Sequence, residues 1–166
     1  WLKSNWKFQA RKNISYHYDL GNQFYREWLD KTMTYSSALF KNKKEVLSSA
    51  QTNKYESICK NLNLKEGDSV LEIGCGWGGF AEHAIKTRGV KLTGLTLSKE
   101  QLDYSKKRMF ELGMADKSSF LLQDYRDEKG VYDGVVSIEM FEAVGEKYWP
   151  IYFKTIKNSL KSGGLG

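Results

Sequence analysis

The sequence predicts an α/β fold, a Rossmann-like parallel sheet of about four strands preceded by a helical lid. Three observations carry this. From Ser69 onward strand-like and helix-like periods alternate, the pattern of parallel strands covered by helices. The first strand runs into a cluster of four glycines, "GCGWGG", at the place where such folds turn from strand to helix. The stretch before it, rich in aromatic residues, shows no such alternation.

Taken in order, Trp1 to Leu64 holds a predicted helix over Asn22 to Leu29 and another over Leu47 to Leu62, and reads as a lid, residues 1–64. The α/β unit follows as residues 65–166. "SVLEIG" is a buried strand, and "GFAEHAIKTRG" a helix stopped by Gly89. "VKLTGLTL" is the second strand. Ser98 caps and Gly113 terminates the next helix, "SKEQLDYSKKRMFELG". "SFLLQD" and "YDGVVSIE" supply strands three and four, and "YWPIYFKTIKNSLKSGG" a final amphipathic helix. The expectation at "LKSGGLG" is that a helix has just turned back and a further strand should begin. Strand one or four would then be an open edge of a truncated chain.

Composition narrows the class. With 40% apolar and 14% aromatic residues in 166, the chain can bury a core. A net charge of +6 suits an anionic partner without choosing among nucleic acid, lipid surface and metabolite. Cys59 and Cys75 make neither a zinc spacing nor a disulfide framework, which points to a reducing cytoplasm. No apolar run is long enough to span a membrane and no signal-peptide pattern opens the chain, so the expectation is a soluble protein that at most touches a membrane surface.

Gly74, Gly76 and Gly79 satisfy G-x-G-x-x-G, a pattern that dinucleotide sites share. Two features argue against a dinucleotide. Glu72 would sit beside the pyrophosphate, and the second strand ends in "GLTLS" with no acid to hold a ribose. A cofactor bearing an ammonium and a sulfonium but no phosphate reverses the sign at Glu72, and S-adenosylmethionine is such a cofactor. The alternative is a tight turn with no ligand.

"HYDLGNQFY", "TYSSALF", "LEIGCGWGG", "GLTLSKEQ" and "SIEMFEAVGEKYW", in that order, resemble the cyclopropane-fatty-acyl-phospholipid synthases and mycolic acid cyclopropane synthases. The resemblance implies a class I methyltransferase sheet and S-adenosylmethionine as cofactor. It places Tyr35 and Ser36 at the methionine end, Gly74 and Gly76 in the loop, Thr96 and Gln101 at the ribose with Leu97 between them, and Asp124 and Tyr125 at the adenine. A hydroxyl and an amide can hold ribose hydroxyls without charge, which accounts for the missing acid. Tyr35 could instead be core packing, and "QDYRD" an ordinary polar turn.

An alkene attacking a sulfonium methyl leaves a carbocation that water would quench, so the site must be dry. Tyr16, Tyr18, Phe24, Tyr25 and Trp28 could exclude water and face a cation with π density, or simply pack their helix on the domain. In the family a bound bicarbonate is the proposed base, and the resemblance gives Glu142 the role of holding it. Glu139 could share that face or be a solvated charge. Two positions depart from the family: Ser37 stands where many members have Cys, offering the anion an amide and a hydroxyl, and Ala143 stands where many have His. His83 reads as an exposed helix residue, Cys75 and Cys59 as packing.

The expected function is one-carbon transfer to an unsaturated phospholipid acyl chain, with "WLKSNWKFQARKN" as a cationic segment for a bilayer surface, a free helix or a loose terminus. The alternatives are N-methylation of a small amine and a non-catalytic cofactor-binding domain. No acceptor loop or basic stripe for nucleic acid is present. A homo-oligomer is among the expected partners.

Overall fold

The computed structural model describes residues 21–166. Tyr16, Tyr18 and the cationic opening segment lie outside the described residues. The elements are α1 (Gly21–Arg26), α2 (Leu47–Asn61), β1 (Ser69–Ile73), α3 (Gly79–Arg88), β2 (Lys91–Thr96), α4 (Lys99–Glu111), β3 (Ser118–Leu122), β4 (Tyr132–Ser137), α5 (Phe141–Val144), α6 (Trp149–Asn158) and β5 (Leu160–Leu165), with short 3-10 turns at Ala115–Lys117, Tyr125–Asp127 and Glu146–Tyr148. The strands form one sheet in the order β3-β2-β1-β4-β5, each neighbouring pair parallel.

Side chains on successive strand residues face opposite ways, and the core divides accordingly. Val70 joins Cys59, Phe80, Ile85, Leu92, Met109, Phe120 and Val136 in one cluster. Leu71 and Ile73 join Leu95 and Val135 in another, covered by Ile156 and Leu160. The stop signals act as expected. Gly89 takes φ 67 as the C-cap of α3, and Gly113 takes φ 67 just past α4. Ser98 Oγ accepts from the Gln101 amide at the start of α4. At the far end of the sheet Asp133 Oδ2 accepts from the Ser69 amide and hydroxyl at 2.8 and 2.7 Å and from Lys161 Nζ at 2.8 Å, joining β1, β4 and β5.

The chain end differs from expectation. The helix stops at Asn158, and "LKSGGL" is a fifth strand beside β4, with a register irregularity between Tyr132 and Gly134 and Gly163 at φ 80. Two glycines, a lysine and a serine give this strand neither β-propensity nor alternation, so its pairing and not its composition makes it a strand. β1 is therefore central and β4 is paired on both sides. β3 and β5 are the edges among the described residues. His83 also departs from expectation: its side chain is only 12% exposed and contacts Glu56 at 3.3 Å, and burial lowers its pKa.

β1 sits where the connections diverge, first to β2 on one side and later to β4 on the other. In open parallel sheets the crevice beyond the strand ends at such a switch is where ligands go.

Candidate active site

The turn from β1 to α3 is built from backbone. Gly74, Gly76 and Gly78 take φ of 81, 52 and 78, and the Gly74 and Cys75 amides both donate to Leu95 C=O at 2.9 Å, pinning the loop to β2. A Cβ at Gly76 would meet nothing within 4 Å, so the backbone faces open space there. A Cβ at Gly79 would lie 2.6 Å from the Tyr55 hydroxyl, so this glycine lets α3 approach α2. Trp77 is buried against Tyr25, ring centroids 4.8 Å apart, and its Nε1 donates to Asn22 Oδ1 at 2.6 Å.

Beyond the ends of β1, β2 and β4 the loop borders a cavity of about 380 Å³. Most residues singled out in the sequence line it: Tyr35 and Ser36 from one wall, Glu72, Gly74 and Gly76 from the floor, Thr96, Leu97 and Gln101 from the end of β2, Tyr125 after β3, and Glu142 with Glu139 after β4. Thr96 Oγ1 donates to Gln101 Oε1 at 2.9 Å and accepts from the Ser98 amide at 3.1 Å, so the pair is held together before any ligand arrives. Tyr35 is 47% exposed, with its ring against Trp28 and Tyr25, a rim position and not core packing.

Two of the singled-out residues stand back from the cavity lining. Asp124 caps the 3-10 turn at the Arg126 amide, and its carboxylate also takes the Arg126 guanidinium at 2.8 and 2.6 Å. Ser37 donates its amide to Glu139 Oε1 at 2.8 Å and accepts at its carbonyl from Lys54 Nζ at 2.7 Å. Tyr18 lies outside the described residues.

Glu72 is 3% exposed, and its Oε2 has no hydrogen-bond partner among the described residues. Burial pushes its pKa well above the usual carboxylate range, with Arg108 and then Lys54 pulling the other way. The Lys54 amine is itself pushed down to about 8 by burial, against the pull of Glu139, Asp30 and Glu72. Glu139 holds φ 49, a left-handed conformation uncommon for a side chain of its size and concentrated in proteins at functional sites.

Sequence reasoning missed the α2 side of the site. Gln51, Lys54 and Tyr55 all face the wall segment, and the one available signal was their i, i+3, i+4 spacing. It also missed Met140, whose sulfur would lie 3.4 Å from a Cβ on Gly74, and Arg108.

A family model described as mycolic acid cyclopropane synthetase matches residues 6–165. The chain belongs to the mycolic acid cyclopropane synthetase family. Among curated relatives, a probable fatty acid methyltransferase from Pseudomonas putida is 43% identical over 154 residues, 92% of this chain and 39% of the relative. The cyclopropane-fatty-acyl-phospholipid synthase of Escherichia coli (strain K12) is 42% identical over 149 residues, 90% of this chain and 38% of the relative. The crystal structure of mycolic acid cyclopropane synthase CmaA1 complexed with SAH and CTAB superposes with a TM-score of 0.88 at 32% identity, covering 92% of this chain and 53% of that one. The sheet is thus that of a class I methyltransferase. The chain spans less than two fifths of the length of these two curated relatives. Within this mycolic acid cyclopropane synthetase family member, no described helix is long and apolar enough to cross a membrane.

Proposed function

We propose that the cavity binds S-adenosylmethionine and that the chain serves the transfer of a methylene or methyl carbon to the double bond of an unsaturated phospholipid acyl chain. The observation that carries the cofactor is Glu72, a buried carboxylate with an unpartnered oxygen at the foot of a glycine loop whose backbone is open to a ligand. That donor set fits a cationic amino-acid end and repels a pyrophosphate. CmaA1, complexed with SAH, has the same fold. When bound, S-adenosylmethionine supplies an electrophilic methyl on a sulfonium.

The chain's own residues have distinct tasks in this reading. Glu72, Gly74 and Gly76 seat the amino-acid end, with Tyr35 and Ser36 as its wall. Thr96, Leu97 and Gln101 hold the ribose, and Tyr125 flanks the adenine, with Asp124 holding the turn through Arg126. Phe24, Trp28 and Tyr35 form an exposed aromatic group that would exclude water once an acyl chain covers it, and Tyr18 is proposed to join it. Glu142 is the residue proposed to seat bicarbonate as the proton acceptor. A contact of that anion with the Ser37 amide would have to displace Glu139.

Residues 1–64 as the lid, 65–166 as the cofactor unit, peripheral attachment to the inner face of a membrane and a cytoplasmic setting belong to the same proposal. The acyl acceptor is favoured over a small amine because the two curated relatives compared above are named for fatty acid and fatty-acyl-phospholipid substrates. The test is expression of the encoding gene in a host without cyclopropane or methyl-branched lipids, fed methyl-labelled methionine, with mass spectrometry of the acyl chains. A labelled one-carbon gain on an unsaturated chain is expected, and its form separates ring from branch. Label confined to small amines, or absent, would overturn the assignment.

A further inference from the structure

Thr34, Tyr35 and Ser36 line one wall of the cavity, and neither they nor Ser37 behind them belong to a helix or strand, so no backbone ladder sets the course of this segment. Side chains do. The Tyr55 hydroxyl and Thr34 Oγ1 share a hydrogen bond of 2.6 Å, and Gln51 Nε2 donates to Ser36 C=O at 2.8 Å. Lys54 Nζ donates twice, to Ser36 Oγ at 2.5 Å and to Ser37 C=O at 2.7 Å. From the opposite side Glu139 Oε1 accepts from the Ser37 amide at 2.8 Å. Lys54 is the one group of α2 that holds two consecutive residues of this segment at once.

Its charge has no carboxylate within ion-pair distance among the described residues. Glu139 from the loop after β4, Asp30 from the loop after α1 and Glu72 from β1 act on it from further away, and the Tyr55 ring of its own helix lies 5.2 Å from Nζ. A half-buried ammonium in that setting makes charge-assisted bonds, which are stronger than neutral ones and weaken when the amine loses its proton. Gln51 and Tyr55 bond the segment to α2 independently of Lys54.

We infer that Lys54 is a positioning residue, which holds Tyr35 and Ser36 in the course that accepts the cofactor and does so through its charge. This rests on the reading of the cavity as an S-adenosylmethionine site. The experiment is calorimetric titration of S-adenosylhomocysteine into the wild-type chain, Lys54→Met and Lys54→Arg at pH 7 and pH 9, either side of the value near 8. The ligand's own titration is common to all three proteins and drops out of their ratios. At pH 7 Lys54→Met is expected to bind about tenfold more weakly than wild type, as for loss of a charged hydrogen bond. By pH 9 the wild type should approach Lys54→Met, while Lys54→Arg, whose guanidinium stays charged, keeps its advantage. Equal affinities of wild type and Lys54→Met at pH 7, or a ratio unchanged between the two pH values, would overturn the inference. If Lys54→Met does not fold, Lys54→Arg decides alone: a loss with pH as steep as that of wild type refutes a role for the Lys54 charge. A wild-type chain that binds no S-adenosylhomocysteine at either pH refutes the cofactor reading instead.

Discussion

Replacing Glu72 by Gln isolates charge at the cavity floor with almost no change of shape. The side chain is 3% exposed and one oxygen is unpartnered, so the carboxylate has little to lose from neutralisation until a cation arrives. Its pKa is raised in the ligand-free fold, which means the folded chain holds a proton that the unfolded chain has released. The stability this group contributes is therefore complete below the ordinary Glu pKa and is lost as pH rises through the raised value. Glu72→Gln should remove that decline, so the unliganded variant melts at the wild-type temperature in acid and above it at neutral to alkaline pH. Binding goes the other way. A cationic ligand draws the carboxylate into its charged form, so cofactor binding to wild type should release up to about one proton, and the variant should release none. Loss of one charged hydrogen bond, about 1.5 to 3 kcal/mol, predicts affinity lower by roughly ten- to a hundredfold. Titrations of S-adenosylhomocysteine in two buffers of different ionisation enthalpy read affinity and proton release together, and melting curves against pH supply the rest. An unchanged dissociation constant with no proton difference would remove Glu72 from the site.

Three further outcomes are expected. Gly76→Val places a branched side chain at φ 52, in space that the ligand needs, and should abolish S-adenosylhomocysteine binding while the circular dichroism of the fold persists; retained affinity would make the loop purely structural. Glu142→Gln should cut product formation far more than cofactor affinity and divert acyl products toward methyl branches or shifted alkenes; wild-type rates and products in extracted lipids would reduce Glu142 to a solvated charge. Lys161 and Ser69 hold the Asp133 carboxyl far below the usual carboxylate range, so its contribution is present above the ordinary Asp pKa and is lost only as pH falls through the depressed value. Asp133→Asn should accordingly melt lower than wild type at neutral pH, with the gap closing in strong acid; a gap independent of pH would refute an electrostatic origin.

The parts of the site carried by backbone chemistry were legible in the sequence, and those carried by tertiary approach were not. Glycines with positive φ and Ser98 as a cap are local arrangements that residue type and spacing can express, whereas Thr96 with Gln101 came only through the family resemblance. Glu72 was legible because a carboxylate on a buried strand beside a glycine turn has few other reasons to be there. Lys54 was not, since nothing within α2 says that the segment some eighteen residues upstream lies within reach of its ammonium. The attachment of Ser37 to Glu139 spans 102 positions and has no local mark. β5 was missed for the opposite reason: its residues argue against a strand, and a neighbouring ladder overrides them.

Arg108 carries a consequence for sequence change. From α4 its guanidinium reaches Glu82 on α3 at 2.7 Å, Thr32 C=O at 2.9 Å and Trp77 C=O at 3.1 Å, so three separate stretches of chain meet at one planar group. Two of the three are recognised by main-chain oxygen, which every amino acid carries. The side chains at positions 32 and 77 are thus free to drift as far as this junction is concerned, whereas Arg108 and Glu82 are bound to change together or not at all. A Lys at 108 would keep the charge but lose the fork, reaching one carbonyl and abandoning another. Laboratory evolution for altered acyl length should therefore leave position 108 untouched while sampling its neighbours, because the arginine reads the course of the chain and is indifferent to its spelling.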